Sequence, residues 1–175
     1  MEVRNLTEAD AEAFWNIRLR ALRDNPESFG ASFDEFLDRG IAGVAQGLSK
    51  RSGAPDDVTF GAFDRTIVGI AGFRREKEAK RRHKAVIWGM YVVPESRGKG
   101  IGKALLEAAI AYARTLPGLE RINLSVVLTS KEAHRLFQAV GFESYGLERE
   151  ALKLPKQYFD QELMTLDLKK GEHTP

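Results

Sequence analysis

The chain has 175 residues, 43% of them hydrophobic and 30% charged, enough to bury one core and too few for two comfortable ones. Its 27 Lys and Arg against 25 Asp and Glu leave a formal charge of +2, which does not ask for nucleic acid or an anionic membrane as partner. The absence of cysteine removes disulfides, thiolate zinc sites and cysteine nucleophiles together.

The opening stretch MEVRNLTEAD carries acids where a signal peptide would be apolar, and no run approaches the length of a membrane span. The expectation is a soluble cytoplasmic protein, with one domain over residues 1–170 and a short tail over 171–175. After a short first strand, TEADAEAFWNIRLRALRDN places Phe14, Trp15, Leu19 and Leu22 on one stripe at helical spacing. Thr7 as cap, with Asp10 three residues on, is a variant of the capping box. SFDEFLDRGIAGVAQGL repeats the design with Ser32 and Glu35 at the cap positions and Phe33, Phe36, Leu37, Ile41, Val44 and Leu48 behind them. Gly40, Gly43 and Gly47 weaken this second helix enough to break it. The period then changes, and VTFGAFD and TIVGIAGFR read as a hairpin turning at Asp64 and Arg65.

RREKEAKRRHK holds seven Lys or Arg and two Glu over residues 74–84. No aromatic residue interleaves to stack on bases, so it reads as a solvated hairpin tip rather than a nucleic-acid site. AVIWGMYVV comes next, a strand with almost no polar side chain, whose two faces should both be covered. Beyond it a helix from about Gly100 to Leu116 has Ile101, Leu105, Ala108, Ala109, Tyr112 and Leu116 on its buried face, and Pro117-Gly118 ends it. RINLSVVL is a further strand. TSKEAHRLFQAV is a short helix with Ala133, Leu136, Phe137 and Val140 inward and Gly141 as its stop. FESYGLEREALKL and QYFDQELMTLDL are two last strands joined through Leu154-Pro155-Lys156.

This order predicts an α/β (α+β) fold: a mixed, largely antiparallel twisted sheet of about seven strands with helices on both faces. Only the strands near 85–93 and 121–128 are joined by a helical crossover, so they should be the parallel pair.

The glycines of RGKGIGKA stand where a strand hands over to a helix. The Walker pattern fails, because Arg97 stands at its first glycine and Ala104 at its hydroxyl. The dinucleotide fingerprint fails at Lys103. The physics beneath both still applies: a helix start leaves free N–H groups, and bare glycines let a phosphate reach them. Arg97, Lys99 and Lys103 add positive charge, so the turn suits a diphosphate; the alternative is a turn that merely connects strand to helix.

V-x-P-x-x-R-G-K-G-I-G-K-x-L-L resembles the acetyl-CoA motif of the GCN5-related N-acetyltransferases, carried here by Arg97, Gly100 and Gly102. The second family signature is similar to SKEAHRLFQAVGFE, with Ala133, Leu136, Phe137, Gly141 and Phe142 in register. The resemblance extends over about Val3 to Leu168 and implies an acyl-CoA N-acyltransferase-like fold and a direct-attack N-acetyltransferase. It also implies that Met90, Tyr91 and Val92 hold the pantetheine arm of acetyl-CoA, and that the backbone from Gly98 through Lys99, Gly100, Ile101 and Gly102 to Lys103 holds the pyrophosphate. Ser130 and Phe137 would complete that site.

Two departures stand out. Phe137 replaces a tyrosine that often protonates the leaving thiolate in the family, and Ser130 replaces an asparagine. Neither central strand carries Asp or Glu as a general base. The catalytic group is therefore open, with Tyr158, Glu35 and His83 as candidates beside Tyr145, Asp160 and Glu162. A non-catalytic acyl-CoA sensor is the competing reading. The acceptor is a small-molecule, peptide or protein amine whose specificity is set near residues 24–50 and by the last hairpin, with Phe29 and Phe33 as lining. The scattered His83, His134 and His173 give no metal site. Last-strand pairing into a homodimer is the oligomer expected of an exposed edge.

Overall fold

The computed structural model describes residues 1–169; the expected tail at 171–175 and His173 lie outside the described residues. Seven strands form one sheet in the order β1-β2-β3-β4-β5-β7-β6. They are β1 (Glu2–Asn5), β2 (Asp57–Asp64), β3 (Thr66–Arg75), β4 (Lys84–Val92), β5 (Arg121–Val127), β6 (Glu143–Leu154) and β7 (Gln157–Asp167). All neighbours are antiparallel except β4 and β5, the pair joined by the helical crossover. The fold is the mixed sheet expected. Its last strand, however, is interior, because β7 pairs β5 on one side and β6 on the other. The edge left for pairing at that end is β6, where Tyr145 and Leu147 are exposed.

Among the described residues four α-helices cover the sheet: α1 (Ala11–Asp24), α2 (Phe33–Ser52), α3 (Ile101–Arg114) and α4 (Lys131–Val140). On one face α3 packs through Tyr112, whose ring meets Phe60 and Phe73 edge-on at 5.9 and 5.6 Å. Burial of α3 runs wider than the stripe read from sequence, since Leu106, Ile110 and Ala113 are buried too. The other face carries α1 and α2, with Phe14 edge-on to Phe36 at 6.2 Å.

Both expected caps form. Asp10 accepts from the Thr7 N–H at 2.8 Å, and Ser32 and Glu35 bond each other's backbone N–H groups at 3.2 and 2.9 Å. The second helix breaks at Gly40, where φ is 64° and ψ is 170°. That kink turns the apolar stripe: Phe36, Val44 and Leu48 are buried, whereas Leu37 and Ile41 point outward, against expectation. The charged tip is also less solvated than its composition implies. Arg75 is buried and donates to the carbonyls of Arg82 and Pro117 at 2.6 and 2.9 Å, with Asp56 at 3.6 Å.

This local geometry has two consequences for stability. Gly40→Ala forces a Cβ into a backbone region nearly closed to it and should cost about 1–3 kcal/mol; Gly47→Ala, with nothing within 4 Å of the new carbon, should stabilise by about 0.5–1 kcal/mol. Thermal melts of the two variants check the opposite signs. Asp10, bonded by both Arg4 nitrogens at 2.7 and 2.8 Å, is held at about 2, chiefly by those bonds. A depressed carboxylate stabilises fully above its unfolded value of 3.8 and loses that contribution as the pH falls through about 2. Because the pair is partly exposed, the loss should be on the order of 1 kcal/mol, seen as a smaller acid destabilisation of Asp10→Asn in urea titrations.

Candidate active site

The site begins where β4 leaves β5. The two strands pair only at Lys84 with Arg121, Ala85 with Ile122 and Val86 with Asn123. Beyond Val86, β5 stays in register with β7, while β4 stays with β3. A bulge in β4 accentuates the parting: Ile70 pairs with Tyr91 and Gly72 with Trp88, so Gly89 is the extra residue, with φ at +63°. The bulge also switches which face each side chain takes. Trp88 lies under the Arg51 guanidinium of α2 at 5.2 Å, and the Tyr91 hydroxyl donates to Asp24 of α1 at 3.2 Å. Met90 and Val92 instead reach α3, 3.2 and 3.9 Å from where a Gly102 Cβ would be.

A cavity of about 1380 Å³ passes through this gap and is lined from both sides of the sheet. The strand expected to be covered on both faces is therefore only half-buried at Val86, Trp88, Met90 and Val92. Its uncovered surface is the cavity wall.

At one end of the cavity stands the start of α3. Gly98 and Gly100 hold φ at +75° and +78°, and a Cβ on either would meet nothing within 4 Å. The first intrahelical bond is Ala104 N–H to Gly100 O at 3.0 Å; among the described residues the N–H groups from Gly98 to Lys103 find no protein acceptor. Arg97, whose Nε donates to Val92 O at 3.0 Å, and Lys103 line the same end. Gly102 serves packing, since a Cβ there would lie 2.9 Å from Leu136. Ser130, at the N-cap position of α4, adds a hydroxyl 3.4 Å from that of Ser28, and α4 itself adds Phe137, which is buried edge-on to Phe142. Met90, Tyr91, Val92, Arg97, Gly98, Gly100, Ile101, Gly102, Lys103, Ser130 and Phe137 all line the cavity; Lys99 sits on the exposed outer side of the turn.

The model of the acetyltransferase (GNAT) family matches residues 12–142. The chain belongs to the GNAT acetyltransferases. A mycothiol acetyltransferase of Thermobispora bispora is 29% identical over 146 residues, covering 79% of this chain and 45% of the relative. The chain thus spans less than half the length of that curated protein. The GNAT acetyltransferase of Streptococcus pneumoniae matches with a TM-score of 0.87 at 22% identity, over 95% of this chain and 98% of that one. A GNAT phosphinothricin acetyltransferase of Sinorhizobium meliloti, solved in complex with acetyl-CoA, matches at 0.82 with 22% identity over 99% and 91%. At such identity these likenesses show the fold.

The remaining candidates of this GNAT chain scatter. Glu35 is exposed in its capping box, its carboxyl held below the usual range by the Ser32 N–H. His83 lies at the far end of β4, where its carbonyl accepts from Glu120 and Arg121. Tyr158 is exposed at the β6–β7 hairpin with Lys153 Nζ 5.3 Å from its ring centroid. Tyr145 is exposed, Asp160 accepts from Glu150 N–H at 2.8 Å, and Glu162 contacts His134. None of these lines the cavity; of the two phenylalanines expected there Phe29 does and Phe33 does not, its ring lying under Arg23 instead. Among the described residues no group of three or more His, Cys, Asp or Glu could hold a metal, and no helix is long and apolar enough to cross a membrane.

One cavity residue escaped the sequence reading. Arg18 of α1 is only 6% exposed, and burial pushes its guanidinium down to about 10. Phe14, Arg18 and Leu22 are spaced by four, so a cation standing inside an apolar stripe was the available signal. Its contacts are the Phe29 ring at 4.4 Å and a long bond to Gly89 O at 3.4 Å. Replacing it with a similar apolar shape removes the desolvation cost and a modest cation–π contact, so Arg18→Met should raise unliganded stability by about 1 kcal/mol. Denaturant titration of the two proteins measures this.

Proposed function

We propose that the chain is an acetyl-CoA-dependent N-acetyltransferase that moves an acetyl group to a primary amine by direct attack in a ternary complex. The observation that carries this reading is that unpartnered N–H groups at the α3 start and an unpaired stretch of β4 open onto one cavity. The open space beside Gly98 and Gly100 fits a pyrophosphate, with Arg97 and Lys103 supplying charge. The free edge of β4 from Ile87 onward suits an extended amide-bearing arm, which would add to it like a strand. Acetyl-CoA supplies the thioester.

In the reaction the amine nitrogen bonds to the acetyl carbon, the carbon–sulfur bond breaks, and one proton passes from nitrogen to the departing sulfur. Negative charge develops on the acetyl oxygen, and a backbone N–H beside the Gly89 bulge is the natural donor to it. Proton removal does not need a carboxylate here if water carries it, with Ser28, Ser125 and Thr129 in the lining to hold a chain. Phe137 cannot protonate the sulfur, and this is the observation favouring the second reading, a non-catalytic acyl-CoA sensor.

One assay decides between the readings. Incubation with acetyl-CoA and a broad amine panel should release free thiol only when an accepted amine is present, with product heavier by about 42 Da, the mass of the acetyl group added less one hydrogen. Acetyl-CoA binding by calorimetry without thiol release across the panel would support the sensor instead. Gly100→Glu should weaken acetyl-CoA binding roughly tenfold or more, because it sets a carboxylate where the diphosphate would rest; unchanged affinity would discard the proposed anion cradle.

A further inference from the structure

Among the described residues two arginines are buried, and they are treated differently. Arg75, 8% exposed, has two short carbonyl bonds and Asp56 nearby. Arg18, 6% exposed, has one long carbonyl bond and, among the described residues, no carboxylate within ion-pair distance. A guanidinium carries five N–H donors, and a buried cation without an anion is costly. Arg75 stands away from the cavity, whereas Arg18 lines it. The unmet donors therefore belong to a place a ligand can reach.

The surroundings have the same sign. Arg39, Arg51 and Arg74 line the α1/α2 side with Arg18. Arg51 is paired with Asp57 at 3.1 Å, while Arg39 and Arg74 have no ion pair among the described residues. The carboxylates in the lining are Glu27 and Glu132, the latter on α4. Asp24, at the end of α1, is already engaged by Arg20 at 3.4 Å and by the Tyr91 hydroxyl. Such a field repels a polyamine and draws in an anion. It also favours the neutral form of an entering amine, which eases attack where no carboxylate base is at hand.

Position and shape narrow the class. Arg18 abuts Gly89: a Cβ on that residue would lie 3.2 Å from the guanidinium, and Gly89 is the bulge next to Met90 and Tyr91. An anion held there is close to the stretch of β4 assigned to the thioester, so amine and anion must be close in the acceptor. Phe14, Phe29, Phe36 and Trp88 supply the apolar remainder of the wall.

We propose that the acceptor is a small amino acid with an apolar side chain, whose carboxylate is received by Arg18 on the α1/α2 side of the cavity. This rests on the acetyl-transfer reading for its chemistry, but its binding half can be tested apart from turnover.

The test pairs each standard L-amino acid with its decarboxylated amine, for example L-phenylalanine with phenethylamine, and adds spermidine as a polycation. Acetyl transfer is read as free thiol, and occupancy as tryptophan fluorescence in the presence of CoA, since Trp88 lies in the wall. Apolar amino acids should surpass their decarboxylated partners roughly 10- to 100-fold in kcat/KM or in affinity, the range of a hydrogen-bonded charge pair. In Arg18→Met the ratio should collapse toward one, mainly through KM, while calorimetry with acetyl-CoA verifies that the variant is folded. Arg18→Lys should restore part of the preference. Equal or better use of decarboxylated amines or spermidine, or an unchanged ratio in Arg18→Met, overturns the proposal. If no amine is acetylated, the acetyl-transfer reading fails by itself and fluorescence decides: acid-selective binding lost in Arg18→Met upholds the carboxylate site, and unselective or absent binding removes it.

Discussion

A strand inside a sheet must place its backbone N–H and C=O groups on both sides, and β4 does so only along its first residues. From Ile87 onward, among the described residues, one side of β4 has no strand beside it: its pairing with β5 ends at Val86 with Asn123, while β5 runs on beside β7 through Val127. The rest of the site depends on that parting. A gap in a hydrogen-bonded sheet is open from both faces, so elements on opposite sides converge on it: α3 and α4 from one direction, α1 and α2 from the other. Gly89 completes the arrangement by shifting the phase of β4, which lets Trp88 and Tyr91 serve one face while Met90 and Val92 serve the other.

The cavity is consequently divided by charge chemistry as well as by position. At the α3 end the positive potential comes from backbone N–H groups at a helix start, reinforced by Arg97 and Lys103. Glycine is favoured there because φ is positive at Gly98 and Gly100, and the space beside both is open. On the α1/α2 side the potential comes from arginine side chains, and one of them, Arg18, is held nearly out of water without an ionic partner among the described residues. Folding tolerates that cost because Phe29 covers the guanidinium and the surrounding core is extensive. Stability given up at one point in a cavity wall, while Arg75 elsewhere is bonded to two carbonyls with Asp56 beside it, is the pattern expected where binding rather than folding shaped the residue.

Much of the fold was legible because its signals are local. Both capping boxes, the hairpin at Asp64 and Arg65, the break at Gly40 and the stop at Gly141 each arise from a few neighbouring residues and their backbone preferences. The glycine turn was legible for the same reason: it is built from contiguous residues at one helix start. Three features were not. Leu37 and Ile41 looked buried because periodicity assumes a straight axis, and the kink at Gly40 rotates one half of α2 against the other. The last strand looked like an edge because chain order carries no spatial order, yet β7 inserts between β5 and β6. The half-open state of β4 was hidden because an apolar run reads alike whether it faces a core or a cavity.

Spacing along the chain and short-range sterics were enough to set the elements, their caps and breaks, the parallel pair and the glycine turn that opens α3. Packing in three dimensions was needed to set where the strands part, which face each β4 side chain takes, and that Arg18 of the first helix comes to rest against Gly89 with no ion-paired carboxylate among the described residues. Pairing partners, desolvation and ion pairing are properties of residues far apart in the chain, and they have no value until the fold brings those residues together.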